Sequence, residues 1–206
     1  KPEYFPVVLA AVEAVLDKNC RLYGIQTATN NTTPLMIING PVIQQLNINA
    51  AGNVFGAGWR ANATLGRALQ LVLRNIGADL PGETDMATHG QSGKFTFCIA
   101  ENEAESPWPP FHADNGFALT QSTVTAVGGQ GTQNIYAACH DPADVAHMLA
   151  DGMTVMGNNG YLRAVGNPLV ILSPGHARLF ADAGWDKARL RQGLFERTKN
   201  PRKRLP

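Results

Sequence analysis

The sequence predicts a mixed α/β fold: a single compact domain with a central, mixed sheet and flanking helices. Three observations carry that expectation. Short apolar runs of strand length recur at residues 35–38, 95–99, 123–127 and 169–172. Longer segments place apolar residues at three- and four-residue steps, most clearly at residues 57–80. The apolar fraction, 44% of 206 residues, suffices for one large core or two tightly joined lobes.

Residues 1–20 read as a helix with Pro2 and Pro6 near its first turn, where a missing N–H costs little. Val8, Val12, Val15 and Leu16 recur on one face, and the polar face is thin, with Glu13 and Lys18 as its main charges. So apolar a helix is expected to be covered on more than one side, either as a central helix or against a further element or partner chain. Residues 22–25 read as a short strand, and 27–34 as a loop of hydroxyls and amides. The strand at 35–38 ends at once in Asn39, Gly40 and Pro41. Asn39 there can both donate and accept hydrogen bonds. Asn47, Asn49 and Asn53 read as turn caps, with a polar pocket wall as the alternative.

The stretch 57–80 is the clearest helix, with Trp59, Ala63, Gly66, Leu69, Leu73 and Ile76 on one stripe, Arg67 and Arg74 towards solvent, and Gly77 as its terminator. It follows the glycine-rich GNVFGAG, yet no GxGxxG or GKS/GKT pattern is present, so a nucleotide phosphate site is not expected. Arg60 at the helix start could clamp a carboxylate bidentately. Arg60, Asn62 and Asn39 form the expected substrate-binding set, for a small polar, anionic molecule.

The chemistry concentrates in residues 89–117, HGQSGKFTFCIAENEAESPWPPFHADNGF. Alternation puts Phe95, Phe97 and Ile99 on one strand face and Lys94, Thr96, Cys98 and Ala100 on the other, so Glu101 projects from the strand end on the phenylalanine side. His112 returns after the stiff PWPPF segment. An imidazole beside carboxylates suits general acid–base work near neutral pH. Glu101 and His112 are the expected proton-transfer pair, Glu103 and Glu105 can tune the histidine or cap the turn, and His89, paired with Asp85, joins in second rank. The same set could hold a divalent metal, but the spacing matches no metal motif, so no metal or other cofactor is assigned. Cys98, between phenylalanines, reads as a small core residue, with a thiol nucleophile as the alternative.

Residues 123–127 and 134–138 read as a hairpin around GGQG. Asp141 and Pro142 then open a helix with Val145, Met148 and Leu149 on its apolar side; His147 lies within it, and His140 precedes it next to Cys139. A glycine- and asparagine-rich loop covers 157–160. The strand at 169–172 leads into Ser-Pro-Gly-His, placing His176 at a helix start as a fourth catalytic candidate. A charged helix after Trp185, with Leu190, Leu194 and Phe195 apolar, ends in a basic tail at 200–206.

A net charge of +1 argues against nucleic-acid or anionic-membrane binding. Three widely spaced cysteines indicate neither a disulfide framework nor a zinc finger, and no apolar stretch approaches 18 residues. With no signal peptide visible, a cytoplasmic place is expected. The chain begins at Lys1, so a processed subunit or a piece of a longer protein is expected.

Four long segments together resemble the UGSC-type (seleno)protein family of bacteria: PEYFPVVLAAVEAV, NGPVIQQLNINAAGNVFGAGWRANATLGRALQLVLRNIG, KFTFCIAENEAESPWPPFH and SPGHARLFADAGWDKARLRQGLFE. The resemblance covers most of the chain. That family is named for a selenocysteine or cysteine followed by Gly-Ser-Cys, and no such motif occurs here. The resemblance therefore implies the downstream, C-terminal part of a larger enzyme, or a subunit of a homo- or hetero-oligomer whose thiol motif lies elsewhere. Three functions follow as expectations: acid–base lyase or hydrolase chemistry on a small molecule, a non-catalytic partner subunit completing another chain's site, and a thiol-dependent oxidoreductase using Cys98.

Overall fold

The structure is a computed structural model that describes residues 1–155 and 168–199; the loop expected at 157–160 and the basic tail at 200–206 lie outside the described residues. It has the expected mixed α/β class, with a three-stranded mixed sheet and flanking helices. The chain divides into two compact units, one comprising Lys1–Ala104 and Pro109–Thr132, the other Glu105–Trp108 and Gln133–Pro206.

The first unit holds the sheet. Its strands are β1 (Thr33–Asn39), β2 (Cys98–Ala100) and β3 (Thr123–Gly129), in the order β2-β1-β3. β1 runs parallel to β2 and antiparallel to β3. A parallel neighbour requires a crossover, supplied here by α3 (Val42–Gln45) and α4 (Arg60–Asn75). The side chains of β1 alternate as a pleat dictates. Met36 and Ile38 join Cys98 and Ala100 in the main core, covered by α1 (Phe5–Leu16) and α4; Leu35, Ile37 and Ile99 form a smaller cluster with Phe97, Val54 and Val127. Leu65 and Leu69 of α4 are fully buried, each contributing about 1.5–3 kcal/mol of apolar transfer. Gly66 lets α4 approach β2: a Cβ there would lie 2.5 Å from Thr96 Oγ1 and 2.8 Å from Phe97 N.

Several expected elements differ. Residues 22–25 form a helical turn, α2 (Leu22–Gln26), not a strand. Both edges of β1 are occupied by β2 and β3, so a further strand would find no partner there, whereas a helical turn closes its own bonds, as in Thr27 N to Tyr23 O. The run at 95–99 shortens to β2, because Ser92–Lys94 forms a 3-10 turn and Phe95 is exposed beneath the Arg67 guanidinium, 4.2 Å from its ring centroid. Arg67 is thus stacked rather than free in solvent. The buried residues of α4 are Ala61, Asn62, Leu65, Gly66, Leu69, Gln70 and Leu73: Gly66, Leu69 and Leu73 of the expected stripe are buried, whereas Trp59, Ala63 and Ile76 are exposed. Ala78, not Gly77, takes the left-handed conformation after the helix, with φ of 54°. On α1 the buried residues are Val7, Ala11 and Val15, and Leu16 is exposed.

In the second unit, α6 (Pro142–Met153), α7 (Pro174–Asp182) and α8 (Lys187–Arg197) surround Phe180 and Trp185, whose ring centroids lie 5.5 Å apart. Asp141 caps α6 as expected, accepting from Ala143 N at 2.7 Å and from Asp144 N. Its buried face is Val145, Ala146, Leu149 and Ala150, while Met148 is exposed. No strand forms at 134–138 or at 169–172, so the expected hairpin is absent. Ile135, Ala137 and Cys139, like Val170 and Leu172, still pack on the helical core at every second residue. The alternation reports one-sided burial and not ladder pairing.

Candidate functional site

The carboxyl ends of the parallel strands β1 and β2 meet the start of β3, and a polar cluster forms there. The pairing Ile38 with Ala100, extended by one residue, sets Glu101 beside Asn39, and Glu101 N continues the ladder to Ile38 O at 3.1 Å. Both residues then fall on the face of Leu35, Ile37 and Ile99. On the other side of β1, Asn39 is the partner of Thr123.

Asn39 is wholly buried, and its amide holds two carboxylates at once. Nδ2 donates to Glu101 Oε2 at 2.5 Å and to Glu103 Oε1 at 2.8 Å. Two main-chain donors reinforce them: Phe111 N donates to Glu101 Oε2 at 2.7 Å, and Gly40 N to Glu103 Oε1 at 2.7 Å. Gly40 is required for this approach. Its φ is +87°, and a Cβ would lie 2.2 Å from Gln121 O.

The short helix α5 (Phe111–Asp114), following Pro110, brings in His112. The ring is 1% exposed, with Nδ1 3.6 Å from Glu103 Oε1, within ion-pairing range and beyond a direct hydrogen bond. Neither ring nitrogen has a hydrogen-bond partner among the described residues; the same holds for Asn39 Oδ1 and Thr123 Oγ1. Glu103, at 24% exposure, is the partly open member. Such a set can hold an imidazole oriented by one carboxylate, with a second carboxylate and an amide fixed beside it.

The other expected residues are placed differently. Glu105 pairs with Arg178 within the second unit, at 3.5 Å, with both side chains more than half exposed. Asp85 pairs with Lys94 at 2.8 Å, and His89 is exposed. Arg60 is exposed at the first residue of α4. The Asn62 amide is committed to the backbone: Oδ1 accepts from Asn49 N at 2.8 Å and Nδ2 donates to Asn49 O at 2.9 Å. Asn49 in turn caps its own turn, accepting from Ala51 N, while Asn47 and Asn53 adopt positive φ, so these asparagines shape turns. His176 Nδ1 lies 2.8 Å from Ser173 Oγ, the cap of α7.

Cys98 is buried in the main core, and burial pushes its thiol up to about 12, so it stays protonated at neutral pH. Burial, then the nearby Asp17 charge, raises Cys20. Asp79 is also raised, first by burial and then by Asp85, opposed by Gln26 and Lys94. No cluster of three or more metal-ligating side chains occurs among the described residues, and none of their helices is long and apolar enough to cross a membrane.

Glu103 is the carboxylate nearest the imidazole, a position expected for Glu101. Thr123 and Gly40 lie outside the expected set; the strand register brings Thr123 opposite Asn39, and the hydrogen bond from Gly40 N to Glu103 brings in Gly40. No protein-family model, curated protein or solved structure matches this chain.

Proposed function

We propose that the first unit carries an acid–base centre of a lyase or hydrolase acting on a small polar molecule. One observation carries the reading: a fully buried imidazole, free of hydrogen-bond partners among the described residues, next to a carboxylate fixed by two donors. Leaving a buried polar group unpaired costs about 1–3 kcal/mol, so packing alone does not account for His112 at this position. In the proposed roles His112 takes a proton from the substrate or from water and returns it to the departing heteroatom. Glu103 orients the ring and stabilises its charged form. In the proton transfer itself Asn39 and Glu101 act through Glu103 and the α5 turn, which they fix by hydrogen bonds.

The test is a parallel mass-spectrometric screen of wild type and His112→Asn against small esters, amides and β-substituted acids and amines. At least one compound is expected to be consumed by wild type and about 10²–10⁴-fold more slowly by the variant. Equal turnover of every consumed compound by both proteins removes His112 from the chemistry.

A second reading is favoured by α1, whose Phe5, Leu9 and Leu16 are exposed. In that reading the chain is one cytoplasmic subunit of an assembly, in line with its resemblance to UGSC-type proteins, and a thiol motif on another segment or chain completes the site. Native mass by light scattering is expected to exceed one chain at micromolar concentration. A well-folded monomer with no partner removed would count against it.

A further inference from the structure

We infer that this centre takes a ligand carrying its positive charge on a protonated nitrogen, a small organic ammonium, and not the anion that Arg60 suggested. The inference rests on the acid–base reading of the same site and adds the class of molecule it receives.

The donors at the strand ends are already committed. Both N–H bonds of the Asn39 amide point to carboxylates, at 2.5 and 2.8 Å, and the main-chain N–H groups of Gly40 and Phe111 do the same. Each carboxylate is gripped through one oxygen, Glu101 through Oε2 and Glu103 through Oε1. Their other oxygens accept no hydrogen bond among the described residues. The remaining unpartnered groups beside them include the buried acceptor Asn39 Oδ1, the Thr123 hydroxyl, which can accept or donate, and the His112 ring. What the cluster offers an incoming molecule is therefore mainly lone pairs.

Charge points the same way. Two carboxylates face at most one positive group, the His112 imidazolium, and among the described residues neither pairs with a lysine or arginine. An anionic ligand would meet like charge and find few donors. An ammonium group brings up to three N–H donors and compensates the pair of carboxylates. Arg60, the residue expected to hold an anion, is exposed and outside this hydrogen-bonded set.

The experiment is an NMR titration of the wild-type protein with methylammonium chloride and, separately, sodium acetate at constant ionic strength. It follows the Asn39 side-chain amide and the His112 ring signals. Methylammonium is expected to shift both saturably, with affinity at least tenfold weaker in a Glu101→Gln, Glu103→Gln variant, which removes both negative charges and leaves one acceptor oxygen on each side chain. Acetate is expected to give no saturable shift. Saturation by acetate, or none by methylammonium, overturns the inference, and the wild-type comparison decides even if the variant fails to fold. The two readings fail separately. Acetate binding with turnover still dependent on His112 removes the ligand class alone; methylammonium binding with turnover independent of His112 removes the acid–base role alone.

Discussion

Two histidine–carboxylate pairs in this protein have the same separation and different surroundings. His112 Nδ1 and Glu103 Oε1 lie 3.6 Å apart at the end of the sheet; His147 Nε2 and Asp151 Oδ2 lie 3.6 Å apart on α6. The first pair is 1% and 24% exposed, the second 65% and 66%. Water screens the second pair and can hydrogen-bond both partners. In the first the histidine has lost water, and the carboxylate is held by hydrogen bonds from the Asn39 amide and Gly40 N. Distance alone does not make a proton-transfer centre. Desolvation of one partner, together with dedicated donors on the other, separates the two sites.

The largest expected effect tests that difference through Asn39. Asn39→Ala removes two hydrogen bonds to ionised carboxylates and leaves partly buried charges short of donors. Each such bond is worth about 1.5–3 kcal/mol, so the variant is expected to lose roughly 3 kcal/mol or more in urea unfolding. His147→Ala is expected to change stability by no more than about 0.5 kcal/mol. If Asn39→Ala unfolds at the wild-type urea midpoint, the cluster is a solvated turn, and the two pairs differ in exposure only.

Much of this was legible in the sequence, for identifiable reasons. The strand at 35–38, the α4 helix and the Asp141 cap rest on local signals of periodicity and capping, and the structure contains all three. Asn39, Glu101 and His112 were legible as polar residues at the ends of an apolar strand or a proline-stiffened segment. Glu103 was legible only as one of two glutamates able to tune the histidine or cap the turn; its place as the carboxylate paired with the His112 ring depends on how β2 gives way to a turn after Ala100. The failed strands share one cause. Residues 134–138 and 169–172 are short, nearly continuous apolar runs, which an extended segment packed by one side on a helical core shows as readily as a sheet strand does. For Asn62 the residue type misled: a buried asparagine at a helix start can serve a ligand or mimic a peptide group, and here it pairs with both backbone groups of Asn49.

The smallest expected effect sharpens the comparison from the exposed side. His147 precedes Asp151 by one helical turn, an order that places the acid nearer the helix C-terminus. The carboxylate therefore faces the negative end of the helix dipole, the less favourable arrangement for an acidic–basic pair. Exposed pairs of this kind contribute about 0–1 kcal/mol even when well ordered. Asp151→Asn should consequently move stability by less than about 0.5 kcal/mol, with any gain on the stabilising side, because removing the charge relieves its unfavourable placement at the end of α6. Raising the salt concentration should shrink even that difference, since both groups lie in screened solvent. The measurement is urea unfolding of wild type and variant at low and high salt, at a pH where His147 is charged and again where it is neutral. A loss above about 1 kcal/mol that persists in high salt would mean that the exposed pair is held as firmly as the buried one. The contrast between the two sites would then lie in something other than desolvation.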